Sequence, residues 1–368
     1  MYTKSGKMKK IKLFIGYGYI NKKELSIFDL IIINCKTQKI VFHKTINIST
    51  ETELEKIDFD IDSIIAERLK VFLKTFNSFW IFKNSDLGRK FSWVEMSIEE
   101  VYIEDKGFNT RYFYIGGNYL LNNKCFLTFP IGVVGNDINK MIENLALKIN
   151  YLIKTLPNEY SVTSSRVWLN AYSSGLLIHE ILGHTSEIDV FKECCKLSKN
   201  IYNNLDIYDI PNDNCLIDYE YDDNLTKGII INLKNDFLAN NTGNTFLGVD
   251  SNNNLYSLIR QRNILIRPIK CVTSSYDCYN KLFIMKAGIS TTSKKVNIIG
   301  LVNCNKVLSL QFPLNDIKRI EPASDKSFNF GCICHKMRVP HYFSISSIET
   351  ILDLEQPIQD YIEKEVNL

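Results

Sequence analysis

Ser173-Ser174-Gly175-Leu176-Leu177-Ile178-His179-Glu180-Ile181-Leu182-Gly183-His184 is an apolar run with two histidines and a glutamate set inside it. The chain has only 5 His in 368 residues, and two of them sit here, five positions apart. Two more, His335 and His341, lie near the C-terminus beside Cys332 and Cys334. Such pairing of scarce donors points to a metal centre assembled from two distant segments, with the remaining chain as its scaffold.

Neutral imidazoles and thiolates are the usual ligands of zinc, and a catalytic zinc keeps three protein ligands and one open position. The familiar metallopeptidase helix spaces its histidines four apart, about 40° from each other around the axis. A spacing of five on a regular α-helix would set them about 140° apart. His179 and His184 therefore converge on one metal only where the helix is distorted between them. Gly183 would tolerate a π-bulge or a helix end at that point. The spacing predicts that 179–184 is not regular α-helix, and Ser173 or Ser174 is the expected N-cap ahead of Leu176.

Glu180 is the candidate general base, since a carboxylate beside an activated water can take its proton and later pass it to a leaving amine. The third ligand must come from elsewhere. Gly331-Cys332-Ile333-Cys334-His335-Lys336 is the richest donor cluster in the chain. Two residues apart on an extended strand, Cys332 and Cys334 would face the same side. Cys332, Cys334, His335 and His341 all stand as candidates, and Arg267, His341 and Tyr342 could stabilise an oxyanion. A histidine pair on an apolar helix is more often hydrogen-bonded core. The carboxylate between apolar neighbours shifts the balance, because burying one unpaired is costly. The adjacent Cys194 and Cys195 read as ordinary thiols.

Outward from this stretch, the pattern is α+β. Residues 11–50 alternate as strands, with Leu30–Ile33 and Lys39–Phe42 flanking a hairpin turn. Gly16-Tyr17-Gly18 reads as a strand irregularity or turn, since no helix start follows it. Apolar residues at helical spacing predict helices over 60–77 and 136–155, and a strand meander runs between them from Phe91 to Val134. Pro157-Asn158-Glu159 marks the expected boundary between an N-terminal domain, 1–156, and a C-terminal one, 157–368. The first is an antiparallel sheet with packed helices. The second is a β-rich sandwich or barrel-like domain carrying the His179 helix. A further short helix is expected over 186–198, then short strands separated by Asn- and Asp-rich turns through Leu314.

Bulk composition excludes some partners. Net charge is +3, from 44 basic and 41 acidic residues, which gives no electrostatic case for nucleic acid. No apolar run approaches the ~18 residues of a membrane span. The 10 cysteines lack the spacing of a secreted disulfide scaffold and read as thiols of a reducing, cytoplasmic compartment. Lys12 interrupts the apolar N-terminal stretch and no small-residue cleavage site follows, which argues against a signal peptide.

The run Leu176-Leu177-Ile178-His179-Glu180-Ile181-Leu182-Gly183-His184-Thr185-Ser186-Glu187-Ile188-Asp189 resembles the Leu-Leu-x-His-Glu-x-x-Gly-His-x-x-Glu-x-Asp signature of the TldD/PmbA metallopeptidases, a family once labelled modulators of DNA gyrase. Weaker matches follow the family's order over roughly 95–345. They are Ile103–Gly107, Tyr221-Asp222-Asp223, Arg267, Gly288–Ser293 (where the family ends in Thr-Thr-Gly), Cys334-His335-Lys336 in place of Cys-Gly-Lys, and Val339-Pro340. The resemblance implies a zinc ion held by His179, His184 and Cys334, with Glu180 as the catalytic carboxylate. It further implies cleavage of unfolded or small peptides, in some members during maturation of peptide natural products, inside a homodimer or a heterodimer with a related subunit. The alternative is a non-catalytic subunit or peptide-binding module of such a dimer that keeps a structural metal.

Overall fold

The computed structural model describes residues 8–20, 23–34, 39–47, 67, 79–103, 107–121, 128–135, 137–158, 162–183, 201, 204–209, 228–231, 245–249, 255–259, 264–268, 280–290, 292–303, 306–334 and 341–367. Period-two alternation in the N-terminal third becomes six strands: β1 (Met8–Ile20), β2 (Lys23–Asn34), β3 (Lys39–Asn47), β4 (Phe91–Ile103), β5 (Gly107–Leu120) and β6 (Thr128–Gly135). Each pairs antiparallel with its neighbour in the order β3-β2-β1-β4-β5-β6. The expected hairpin closes with Asn34 opposite Lys39. Gly16 and Gly18 both lie inside β1, so this glycine pair is strand and not a phosphate loop. A side chain at Gly18 would overlap the Ser92 carbonyl of β4, and glycine admits that close approach. One face buries Ile15, Phe28, Leu30, Met96, Ile98 and Ile115. The helix expected over 60–77 lies outside the described residues, apart from Glu67, which is helical.

Helix α1 (Ile138–Lys154) starts where Asp137 Oδ1 accepts the backbone N–H groups of Asn139 at 3.0 Å and Lys140 at 3.3 Å. Such a cap satisfies donors that the first turn leaves open. Its apolar stripe, Ile138, Met141, Leu145, Ile149 and Leu152, is buried as its spacing predicts. The chain divides into two compact units inside this helix: Met1–Leu147 with Leu247–Leu255, and Lys148–Phe246 with Tyr256–Leu368.

The second unit is built from many short strands. The first of them are β7 (Arg166–Leu169), β8 (Leu205–Asp209) and β9 (Gly228–Ile231). A separate two-stranded sheet, β10 (Thr245–Val249) with β11 (Leu255–Ile259), includes residues of the first unit's Leu247–Leu255 stretch. Next come β12 (Ile264–Pro268), β13 (Asn280–Lys281), β14 (Phe283–Ser290), β15 (Lys295–Asn303), β16 (Lys306–Pro313) and β17 (Ile317–Pro322). The last are β18 (Phe328–Cys334), β19 (His341–Ser347), β20 (Thr350–Leu354) and β21 (Ile362–Asn367). They form runs in the order β18-β19-β12-β8-β9, β13-β7-β20-β17 and β14-β15-β16-β21. Most neighbours are antiparallel, with parallel pairs at β12–β19 and β13–β7. The short helix expected over 186–198 lies outside the described residues.

One apolar core joins these sheets in the second unit. Val167, Leu169, Leu308, Ile320 and Leu352 meet there with Leu177, Ile181 and Leu182 of the His179 stretch. On the opposite face of β7, β20 and β17 the charges alternate: Arg166 bonds Glu321 at 3.1 Å, and Arg319 bonds Glu321 at 3.2 Å and Asp353 at 3.4 Å. The protein is α+β with sheet-dominated units, and among the described residues no helix is long and apolar enough to cross a membrane.

The β14–β15 hairpin holds Lys294 at φ 54°, a left-handed conformation that costs a non-glycine residue about 1–2 kcal/mol. Part of that is offset by the extra unfolded-state freedom of glycine. Lys294→Gly is therefore expected to raise stability by about 0.5–1 kcal/mol, read as an increased urea midpoint at unchanged slope.

Candidate metal-binding site

Helix α2 (Ala171–Ile178) follows β7 and is buried along almost its whole length. With no charged residue on any side, such a helix suits a core. It is capped by Asn170 and not by either expected serine: Asn170 Oδ1 accepts the Ser173 N–H at 2.8 Å. The serines missed the cap because the helix begins before them, and their hydroxyls serve elsewhere. Ser173 Oγ accepts the Ile284 N–H of β14 at 2.9 Å, and Ser174 Oγ shares a 2.7 Å hydrogen bond with Thr350 Oγ1 of β20. Asn170 Nδ2 also donates to Thr155 Oγ1 at 3.0 Å. The sequence signal for the cap was present, an Asn directly ahead of Ala171 and the apolar run.

From His179 to Gly183 the helix changes to π geometry. The expectation that this segment departs from regular α-helix holds over these residues. The His179 N–H itself is still shared between the Gly175 and Leu176 carbonyls, four and three residues back, as at the end of an α-helix. In a π-helix each N–H reaches back five residues instead of four, so a residue five ahead stands about one turn on. Carried one residue further, such a turn would narrow the wide splay that a regular α-helix imposes on a five-residue pair. His179 is 1% exposed and Glu180 8%, so an imidazole and a carboxylate have both been carried into the interior. His184 lies outside the described residues.

The helix packs against the strands that carry the second donor cluster. A side chain at Gly175 would overlap Cγ2 of Ile345 and come within 3.0 Å of Ser347 Cβ, both on β19. Tyr172 meets Phe330 of β18 edge-on at 5.4 Å and stacks on Phe283 of β14 at 5.9 Å. Cys334 is the last residue of β18 and pairs in register with His341, the first residue of β19. Backbone pairing thus places two of the candidate ligands opposite each other, on the two strands against which α2 rests. His335, and the side chains of Cys334, His341, Tyr342 and Arg267, lie outside the described residues. Among the described residues no group of three donors forms a metal cluster. The His179 imidazole, the Glu180 carboxylate and the thiol and imidazole types at 334 and 341 are the donor chemistry that zinc takes.

Cys332 lies within β18, two residues before Cys334. It is a buried free thiol. Burial pushes it up to about 12, with the neighbouring Lys148 ammonium opposing the rise. Burial in turn brings Lys148 down to about 8, opposed by Cys332. The same burial raises the Tyr172 phenol. This is the environment of a packing thiol, since reactive cysteines sit where the thiolate is favoured.

No family model matches the chain, and no curated protein matches it. Among solved structures, one described as a "putative modulator of DNA gyrase" from Bacteroides thetaiotaomicron is 10% identical, with 94% of this chain and 95% of that chain covered and a TM-score of 0.35.

Two outcomes are expected. Gly175→Ala gains up to about 1 kcal/mol of helix propensity but drives a methyl into the stiff, buried Ile345. Overpacking of that kind costs about 1–3 kcal/mol, so the variant should have a lower denaturation midpoint. Cys332 should resist iodoacetamide at pH 8 in the folded protein and react fully in denaturant, as read by peptide mass spectrometry.

Proposed function

We propose that this chain is a zinc-dependent peptidase of the TldD/PmbA type acting on unstructured peptides, with His179, His184 and Cys334 holding the metal and Glu180 as general base. The observation that carries the reading is the π-turn at His179–Gly183. It is the local geometry that a five-residue histidine spacing needs if both rings are to serve one ion. Burial of His179 and Glu180 within it supports the same reading, because titratable groups in a core are kept at a cost. Zinc held there would polarise a peptide carbonyl and lower the pKa of a coordinated water.

The protein's own part begins with Glu180, adjacent to His179 on the turn. Its carboxylate takes a proton from the attacking water and returns it to the departing amine. The low polarity around the turn strengthens every charge interaction in the step. The substrate would be an extended, unfolded peptide, precursors of peptide natural products included, and the active form a dimer of identical or related subunits.

Metal analysis of the purified protein should find about one zinc per chain, the stoichiometry of a single three-ligand site. Glu180→Gln should keep that zinc and lose about 10²–10⁴ of peptide cleavage, measured on an unfolded casein or a quenched peptide. Wild-type cleavage by Glu180→Gln removes the general base assignment. Stoichiometric zinc without cleavage in the wild type, alone or with a related subunit, moves the chain to the structural-metal alternative.

A further inference from the structure

We propose that Tyr151 and Glu349 are positioning residues that hold the His179–Glu180 turn in place from the far end of its helix; as a statement about a metal site, this rests on the function proposed above. Tyr151 lies in the last turn of α1. Its phenol oxygen accepts the N–H of Ala171, the first residue of α2, at 3.0 Å. The same hydroxyl donates to Glu349 Oε1 at 2.9 Å. Glu349 sits in the connection between β19 and β20. The Tyr151 ring stacks on Phe328 of β18, with centroids 3.9 Å apart and planes 24° apart. One side chain therefore touches the start of the His179 helix, the strand that ends in Cys334, and the segment that follows the His341 strand.

The chemistry of the contact suits this role. The first N–H groups of a helix have no partner within it. Here the phenol takes that of Ala171 and Asn170 takes that of Ser173. A carboxylate one hydrogen bond behind the phenol polarises it and makes its oxygen a better acceptor, and negative charge is favoured at a helix N-terminus. Burial raises the Glu349 carboxyl, opposed by the hydrogen bond from Tyr151 and by Lys281 and Lys326. Those are the groups that favour the ionised form against burial. Because α2 is a single rigid element eight residues long, any rotation or slip at Ala171 is delivered to His179. Groups that orient ligands without touching the metal are typically worth about 10–100-fold in metal affinity.

The test compares Tyr151→Phe and Glu349→Gln with the wild type in two assays. Tyr151→Phe keeps the stacked ring and removes only the hydroxyl. Glu349→Gln keeps an acceptor oxygen for it. The first assay is amide hydrogen exchange of the apo protein. Tyr151→Phe should speed exchange over 171–183 by about 10-fold or more, with β15 and β16 unchanged, and Glu349→Gln, which keeps an acceptor oxygen but loses the charge, should speed exchange over the same residues by a smaller factor. The second is Zn²⁺ affinity by competition with a chromophoric chelator, where Tyr151→Phe should bind about 10-fold more weakly. Exchange over 171–183 that is unchanged, or that rises equally throughout the chain, overturns the positioning role. Localised exchange in a wild-type protein that binds no zinc leaves the anchor standing and removes the peptidase reading instead.

Discussion

Everything in the second unit depends on burying a helix that is not wholly apolar. α2 brings Asn170, Ser173, Ser174, His179 and Glu180 into the interior, and a buried polar group must be matched or it costs stability. The first three are matched on different elements, Thr155 after α1, Ile284 on β14 and Thr350 on β20. Apolar packing alone would let such a helix slide or rotate with little penalty. Three directional hydrogen bonds at its N-terminal half fix both its axial position and its rotation. Gly175 then lets it close on the Ile345 and Ser347 side chains of β19.

That arrangement divides the helix by task. Its N-terminal half is occupied with docking, and its C-terminal end carries the histidine and the glutamate. The aromatic residues around it follow the same division. Phe283, Tyr172, Phe330, Tyr151 and Phe328 form a connected series of ring contacts reaching across β14, α2, β18 and α1. Tilted and stacked rings of this kind add specific geometry to apolar burial. Cys332 and Lys148 sit beside this series, and their shifted protonation follows from the same exclusion of water.

The strands of the N-terminal meander and the stripe of α1 were legible because their period is carried by many residues. A reading based on alternation needs only that one face be buried. β7 and β8 were not legible: a strand of four or five residues is too short to establish a period, and β7 is buried on three of its four positions. The His179 stretch was legible as chemistry, and its odd spacing foretold an irregular helix. The site's support was not. Tyr151 and Glu349 are 198 residues apart in sequence, and nothing local marks a tyrosine on a helix face as the partner of a distant carboxylate. The cap was misplaced for a related reason: serine suits both an N-cap and a buried side-chain hydrogen bond, and only tertiary contact decides between them. The two cysteines of β18 were read as alternative third ligands, and the burial of Cys332 was not legible from its spacing.

A π-helix carries its hydrogen bonds one residue further back than an α-helix does. The His179–Gly183 turn therefore takes more residues to complete than the turns of α2 that it continues. Deleting a single residue such as Leu182 would return the stretch to regular α-helix and bring the two histidines to the four-residue spacing of the common zinc helix. The geometry of the site can therefore be explored by changing the length of the chain by one.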